Sequence, residues 1–460
     1  MREEIYVTNP VPCTTEEDPR VFQPALDPTP STTRAALFTR WRFWITRGFL
    51  AVLDQALISG SNFIIGILLA RWLMPAQYGA YTLAFSVFLL LSFFHQALVL
   101  EPQRVFGSAD YTEYPREYLG VLLRIQGGLT LVVSLALGTS LWFAHIWARP
   151  DGLGGALGGM ALAAPFVLLL WLARGAFYVQ LSPQYAVAGS IAYCAVVLCS
   201  LLIVDRYQLM SPFSAFVMMG FGALVSSAIL LNRLKPMWNL RVGRPNWKGV
   251  SRQHWEYGRW LLASLGLSWI PGNIYYSLMS AFSGMASVGE LKALINFTLP
   301  VAQTLTALSI CFVPHASRAY QMDGLAALKR LTVKIAWLFA VAAIVYWALL
   351  ISLGTPILRL LYSDHYTQLG SLIPWVAAGS IPWNLATVPT LALRAVRSSV
   401  SIFHVYLASS GIAILVGIPA TWGFGLRGAL ASIILSNVSA LGIALFLMRR
   451  ELRTAPPATL

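Results

Sequence analysis

Twelve apolar segments, separated by short polar stretches, constrain what this chain can fold into more than any other feature. They lie at approximately 48–70, 79–100, 119–144, 155–178, 185–204, 211–231, 259–282, 291–313, 333–353, 369–392, 400–420 and 426–448. A helix needs about 20 apolar residues to cross the roughly 30 Å hydrocarbon core of a bilayer, so each segment can form one span. Only 11% of the residues are charged, which excludes an ordinary water-soluble protein. The sequence therefore predicts an all-α polytopic membrane protein with about 12 transmembrane helices.

The basic residues predict how these spans are oriented. The chain has a formal net charge of +14, and 26 of its 32 Lys and Arg residues fall on the side of the membrane that holds both termini. Cytoplasmic loops of polytopic proteins carry the excess of Lys and Arg, so both termini are expected in the cytoplasm. In a membrane protein such an excess indicates contact with membrane lipids, and no nucleic-acid partner is expected.

A weak internal repeat divides the spans into two halves. Gly79 corresponds to Gly289 and Pro102 to Pro314, with nearly constant offsets of 210 and 212 residues. Parallel repeats of this kind usually hold a transported substrate between them. The predicted organisation is a disordered cytoplasmic tail with a basic-aromatic interfacial end at 1–46, an N-lobe at 47–231, a basic cytoplasmic linker at 232–258, a C-lobe at 259–448 and a cytoplasmic tail at 449–460.

Polar side chains within the spans predict a seam along three of them. Its members are Gln55, Ser59 and Asn62 with Asp54 in span 1, Asn273 in span 7, and Lys292, Asn296 and Gln303 with the preceding Glu290 in span 8. For Asn and Gln two interpretations stay open, because amides at membrane depth either join helices or line a cavity. For Asp54 and Arg124 a cavity role is favoured, since unpaired charge is costly in lipid. Arg71 and Arg174 stand at span ends, where Arg snorkels to the interface.

Motifs for covalent chemistry or metal binding are weak. The four cysteines form no CxxC pair, and neither paired carboxylates nor a Ser/His/Asp arrangement can be assembled with any specificity. Gly152, Gly155 and Gly159 resemble a nucleotide-binding loop, but no Walker lysine follows, so close helix packing is predicted for them. The sequence therefore predicts a protein that is not an enzyme, with no catalytic residue, no metal site and no cofactor.

Short motifs in both halves resemble a known family. They are Ser59–Phe63, Ala70–Pro75, Tyr78–Tyr81 and Glu101–Pro102 in the first half, and Gly289–Ala293, Asn296, Pro300 and Pro314–Arg318 in the second. These stretches resemble the O-antigen and polysaccharide lipid flippases of the multidrug/oligosaccharidyl-lipid/polysaccharide exporter superfamily. The resemblance implies two six-helix lobes around a central cavity and alternating access in a bacterial cytoplasmic (inner) membrane. It implies a polyprenyl-diphosphate-linked oligosaccharide as substrate, and other polysaccharide assembly proteins as partners.

The position and charge of polar side chains predict which of them bind this substrate. The expected substrate-binding residues are Arg124, Lys292, Asn62, Asn273, Asn296, Gln303, Arg71 and Arg174. Arg124 and Lys292 are expected to hold the diphosphate by charge-assisted hydrogen bonds, with Arg71 and Arg174 at the cavity mouths. Asp54 and Glu290 are expected to act in coupling or gating, with a proton or sodium gradient as the energy source. Two alternatives stay open: a membrane polysaccharide polymerase or ligase, and an ion-coupled multidrug exporter of the same superfamily.

Overall fold

The computed structural model describes residues 34–146, 152–236, 246–395 and 399–454. The chain divides into one unit at Met1–Thr46 and a second at Arg47–Leu460. The predicted tail at 1–46 lies outside the described chain over residues 1–33, and from Arg34 its backbone is helical. The apolar segments predicted to cross the membrane all belong to the second unit.

The described ranges are helical and contain no strand. Their α-helices are α1 (Arg34–Trp72), α2 (Pro75–His95), α3 (Glu101–Gly107), α4 (Pro115–Ile146), α5 (Leu153–Val179), α6 (Pro183–Arg206), α7 (Pro212–Leu234), α8 (Trp247–Phe282), α9 (Met285–Asn296), α10 (Leu299–Ser352), α11 (Gly354–Tyr362), α12 (Ile373–Ala395), α13 (Ser399–Leu415) and α14 (Gly417–Thr454). A π-helical segment, Gln96–Leu100, joins α2 to α3, and a 3₁₀ segment, Ser363–Leu372, precedes α12. Helices α2, α4, α6 and α7 begin with proline, whose missing N–H would be unpaired in the first turn anyway.

Eight helices of the described chain are long and apolar enough to cross a bilayer. They are Thr46–Trp72, Pro75–Gly107, Pro115–Ser140, Leu153–Val179, Pro183–Arg206, Pro212–Leu234, Ala326–Ser352 and Gly417–Glu451. The shorter apolar helix Val400–Leu415, which the first part of α14 extends to the break at Gly425, is the ninth crossing. Helix α8, helix α12 and the pair formed by α9 and the start of α10 bring the total to twelve, as the sequence predicts.

The long helix α10 contains a reversal of direction. The Tyr346 hydroxyl, near its end, donates a hydrogen bond of 2.7 Å to the carbonyl oxygen of Phe297, just before its start. Leu305 and Phe339 pack in one cluster with Val388 of α12. A helix rises about 1.5 Å per residue, so a straight helix would hold Phe297 and Tyr346 roughly 70 Å apart. The two halves of α10 are therefore antiparallel neighbours, in agreement with the two spans predicted there.

Gly425 separates the last two crossings. It has a φ of 54° within α14, in the left-handed region that glycine adopts without strain. The backbone N–H groups of Val416 and Ala420 continue the hydrogen bonding of α13 into the start of α14. One crossing therefore ends at Gly425 and the next begins there, which confirms the predicted boundary between the segments 400–420 and 426–448.

Small residues let helices α5 and α7 approach closely. A Cβ atom on Gly159 of α5 would lie 2.7 Å from the carbonyl oxygen of Phe213, and one on Gly220 of α7 would lie 2.8 Å from the Cα atom of Ala163. Neither position has room for a side chain, as in close helix pairs of other membrane proteins. The prediction that the stretch containing Gly159 serves helix packing is confirmed.

Candidate functional site between the two lobes

Helix α2 of the N-lobe (α1–α7) crosses helix α9 of the C-lobe (α8–α14) with the two backbones in contact. A Cβ atom on Gly79 would lie 1.9 Å from the Met285 carbonyl oxygen, and one on Gly289 would lie 2.3 Å from the Pro75 carbonyl oxygen. Both positions therefore exclude a side chain. Gly79 and Gly289 are also the pair that the internal repeat aligns, so equivalent positions of the two halves meet.

A buried hydrogen-bond network lies beside this crossing. Asn296 of α9 is 1% exposed and donates from Nδ2 to the Tyr78 hydroxyl at 2.9 Å. Tyr362, at the end of α11, is fully buried and donates to the carbonyl oxygen of Ala293 at 3.2 Å. The crossing and this network form what we name the distal contact, at the end of the lobes where α2 and α9 begin. The sequence predicted a binding role for Asn296 but for neither tyrosine, although Tyr78 belongs to one of the motifs that carry the family resemblance.

The π-helical segment Gln96–Leu100 binds the C-lobe at the opposite end of α2. His254 of α8 shares a hydrogen bond of 2.8 Å between its Nδ1 atom and the Leu98 carbonyl oxygen. One turn later, a Cβ atom on Gly258 would lie 2.4 Å from the Ala97 carbonyl oxygen, so the backbones again touch. We name this set the proximal contact. Single turns of π-helix often occur at functional positions, and here one supplies the surface that receives α8.

The hydrogen bonds of the proximal contact determine which nitrogen of His254 carries the proton. A carbonyl oxygen only accepts, so Nδ1 donates, and Nε2 accepts from the Tyr118 hydroxyl at 2.8 Å. Burial lowers the pKa of His254 below its usual value, which favours this neutral form. Gln253 extends the contact by accepting from the Tyr111 hydroxyl at 2.9 Å and donating to Asp110 at 2.7 Å. Helix α2 is therefore held to the C-lobe at both of its ends.

Asp54 is fully buried inside the N-lobe and has a cationic partner there. Arg174 of α5 donates to its carboxylate at 2.5 Å, with 12% of the Arg174 side chain exposed. The hydroxyls of Tyr178 and Ser190 donate to the same carboxylate. Arg174 therefore does not snorkel or stand at a cavity mouth as expected, and Asp54 does not line a cavity, because each ion satisfies the other within the lobe.

The seam predicted between spans 1 and 8 is observed at one point. Gln55 donates to the Ser59 hydroxyl at 3.0 Å, and Ser59 donates to the Gln303 side chain of α10 at 2.9 Å. Asn273 of α8 donates only to a carbonyl of its own helix, at 3.4 Å, and Asn62 is exposed. Within the described chain, neither of these two asparagines joins the network that links the lobes.

The predicted phosphate-binding cations lie apart from each other. Lys292 is half-buried on α9 and has neither an ion pair nor a hydrogen bond with any described residue. Arg71 is exposed and donates to the Leu360 carbonyl oxygen at 3.3 Å. Arg124 is exposed on α4, shortly after Tyr118 of the proximal contact, whereas Lys292 lies between Gly289 and Asn296 of the distal contact. Arg124 and Lys292 therefore lie at different depths. The coupling role of Glu290, half-buried on α9, stays a prediction.

The C-lobe contains a cavity of about 220 Å³ that the sequence analysis did not predict. Both aromatic rings and carboxamide groups line it. They include the side chains of Tyr275, Trp375, Trp383, Asn384 and Asn437. No Asp, Glu, Lys or Arg of the described chain lines it. The signal that could have pointed to it is the pair of asparagines at membrane depth in spans 10 and 12.

Comparison with solved structures identifies the fold, whereas no protein-family model and no curated protein sequence matches this chain. A multidrug resistance MATE family transporter of the MOP superfamily, in an inward-facing conformation, aligns with a TM-score of 0.67 at 14% identity, over 87% of this chain and 96% of that chain. The lipid II flippase MurJ, in an inward closed conformation, aligns with a TM-score of 0.65 at 14% identity, over 88% and 87%. MATE in the straight conformation aligns with a TM-score of 0.63 at 12% identity, over 89% and 95%.

The fold is therefore that of the MATE transporters and MurJ. It consists of about twelve transmembrane helices in two six-helix lobes around a central cavity, which confirms the predicted fold class. The chain is accordingly a multi-pass membrane protein.

Proposed function

We propose that this protein is a membrane transporter that flips a polyprenyl-diphosphate-linked oligosaccharide from the cytoplasmic to the outer leaflet. The observation that carries the proposal is Lys292, a half-buried cation on α9 with no acidic partner among the described residues. A partly desolvated ammonium group without a carboxylate favours an anionic ligand, and phosphate oxygens are suitable acceptors. The fold shared with the lipid II flippase MurJ supports a lipid-linked substrate.

Alternating access is part of the proposal. The distal and proximal contacts hold the same helix, α2, to the C-lobe at opposite ends. Each contact consists of a close approach at glycine and a few hydrogen bonds, so one can separate while the other stays closed. Opening them in turn would expose Lys292 and its surroundings first to one side of the membrane and then to the other.

The proposal places the protein in a bacterial cytoplasmic membrane with both termini in the cytoplasm. A proton or sodium gradient drives transport, and no covalent chemistry is involved. Asp54 is the proposed coupling group, because protonation of its carboxylate would remove the charge that holds Arg174. The partners are membrane lipids and other polysaccharide assembly proteins. A multidrug exporter is the second candidate, favoured by the fold shared with the MATE family transporter.

Reconstitution tests the proposal. Proteoliposomes carrying a fluorescent lipid-linked oligosaccharide should show transfer between leaflets, and Lys292→Ala should reduce the rate about tenfold, the loss of roughly 1.4 kcal/mol of binding. Lys329→Ala, at an exposed position of α10, is the matched control and should transport normally. Absence of transfer under every ion gradient would refute the proposal, and full activity of Lys292→Ala would refute the diphosphate-binding role. Transport of organic cations instead would establish the second candidate.

A further inference from the structure

Two carboxamide oxygens in the C-lobe cavity receive no hydrogen bond from the described residues and can therefore accept one from a ligand. Asn437 donates from Nδ2 to the Gly379 carbonyl oxygen at 3.0 Å, which determines the orientation of its amide because a carbonyl cannot donate. Asn384, which is 3% exposed, donates from Nδ2 to the Ser380 hydroxyl at 3.2 Å. The Oδ1 atom of neither residue accepts a hydrogen bond from the described chain. A ligand in this cavity is therefore expected to donate hydrogen bonds, as hydroxyl groups do.

The remaining walls indicate a ligand with apolar faces and no charge. Trp375, Trp383 and Tyr275 present aromatic surface to the cavity, and no charged side chain of the described chain lines it. A charged ligand would lose its hydration there without gaining a counter-charge. A pyranose ring meets both requirements, because its faces are C–H groups that pack on aromatic rings and its edge carries hydroxyl donors.

The size of the cavity agrees with a single ring. Its volume of about 220 Å³ is smaller than the roughly 300–1,000 Å³ of sites that enclose drug-sized molecules. The cavity also adjoins the interface between the lobes, since Leu291 and Ile295 line it from α9, the helix that carries Lys292. A sugar in the cavity and a phosphate beside Lys292 would therefore contact the same helix.

We propose that the C-lobe cavity binds one neutral sugar residue of the transported glycan. This inference rests on the proposed function, because it assigns a place to the carbohydrate part of the lipid-linked substrate. It predicts that recognition is divided between an uncharged cavity for the sugar and a cation at the lobe interface for the diphosphate.

Two glycines of α8 allow a matched test. An added Cβ atom would meet nothing within 4 Å at Gly272 or at Gly266, so both accept a larger residue, but only Gly272 lines the cavity. Gly272→Leu should fill the cavity, whereas Gly266→Leu should leave it open. Asn384→Leu removes a hydrogen-bond acceptor, and Asn232→Leu is its control at an exposed position of α7.

Binding is measured by saturation-transfer difference NMR on the full-length protein in detergent. The probes are N-acetylglucosamine and the methyl glycosides of glucose, galactose and mannose, with glucuronate and tetramethylammonium for comparison. At least one neutral sugar should bind saturably. Its affinity should fall about tenfold or more in Gly272→Leu and Asn384→Leu, and should stay unchanged in both controls.

Three results would overturn the inference. They are no saturable binding of any neutral sugar, equal binding by Gly272→Leu and the unmodified protein, and preferential binding of tetramethylammonium. Because this experiment measures sugar binding and not transport, its result distinguishes the sugar-binding cavity from the proposed flippase function. Leaflet transfer without sugar binding would refute the cavity assignment alone. Sugar binding without leaflet transfer would refute the proposed function and leave the cavity as a sugar site that does not serve transport.

Discussion

Gly79 and Gly289 bring the two lobes into backbone contact. A Cβ atom on Gly79 would lie 1.9 Å from a carbonyl oxygen of α9, and one on Gly289 would lie 2.3 Å from a carbonyl oxygen of α2. Real Cβ atoms essentially never make non-bonded contacts below 3 Å, and backbone atoms cannot move aside as the end of a flexible side chain can. The distal contact therefore closes only because both positions are glycine.

Gly79→Ala should open the distal contact. The test uses a background in which Ala293, fully buried on α9, is replaced by cysteine and the four native cysteines are replaced by serine. A membrane-impermeant maleimide added on the distal side should label this cysteine only when Gly79→Ala is also present. Gly127→Ala, where an added Cβ atom meets nothing within 4 Å, is the control and should leave it unlabelled. An unlabelled, folded Gly79→Ala protein would show that the helices yield without separating.

Loss of the Asp54 carboxylate should destabilise the N-lobe strongly. Asp54→Ala leaves Arg174 as a buried cation without its partner, which typically costs about 3–5 kcal/mol. The exposed pair of Arg104 and Glu101 is the comparison, because Arg104→Ala should cost less than about 1 kcal/mol. Thermal unfolding in detergent distinguishes the two. Similar losses of stability in both variants would mean that the buried pair contributes no more than a surface one.

Acidification should weaken the proximal contact through His254. Burial lowers the pKa of His254 in the folded protein below the roughly 6.5 of an unfolded chain. The stabilisation by neutral His254 is therefore complete above about pH 6.5 and is lost as the pH falls through the lowered pKa. Protonation would also put a hydrogen on Nε2 of His254. This nitrogen could then no longer accept the hydrogen bond that the Tyr118 hydroxyl donates to it.

Comparison of melting temperatures between pH 7.5 and pH 5 tests this role of His254. The decrease on acidification should be smaller in His254→Gln than in the unmodified protein, because glutamine does not titrate. His365→Gln, at an exposed position of the 3₁₀ segment, should leave the decrease unchanged. Identical pH profiles for His254→Gln and the unmodified protein would exclude a contribution from His254.

The candidate site could be predicted from the sequence only where a residue is unusual in itself. Asp54, Arg174 and Asn296 stand out because polar groups are rare within apolar spans. Their partners Tyr178, Ser190 and Tyr78 do not, because tyrosine and serine occur throughout such spans. Arg174 is an example. Its position near the end of a span indicated snorkelling, whereas in the structure it forms an ion pair with Asp54, which lies 120 positions earlier in the sequence.

The sequence by itself determined the fold class, because the number and length of apolar segments follow from the thickness of the bilayer. It also determined the division into two halves, since Gly79 and Gly289 stand at equivalent positions of the repeat. Only the tertiary structure decided that these glycines touch, that Lys292 and Arg124 lie apart, and that spans 7, 8, 10 and 12 enclose a cavity. Hydropathy reports which residues enter the membrane, whereas which residues meet there depends on how the helices pack against one another.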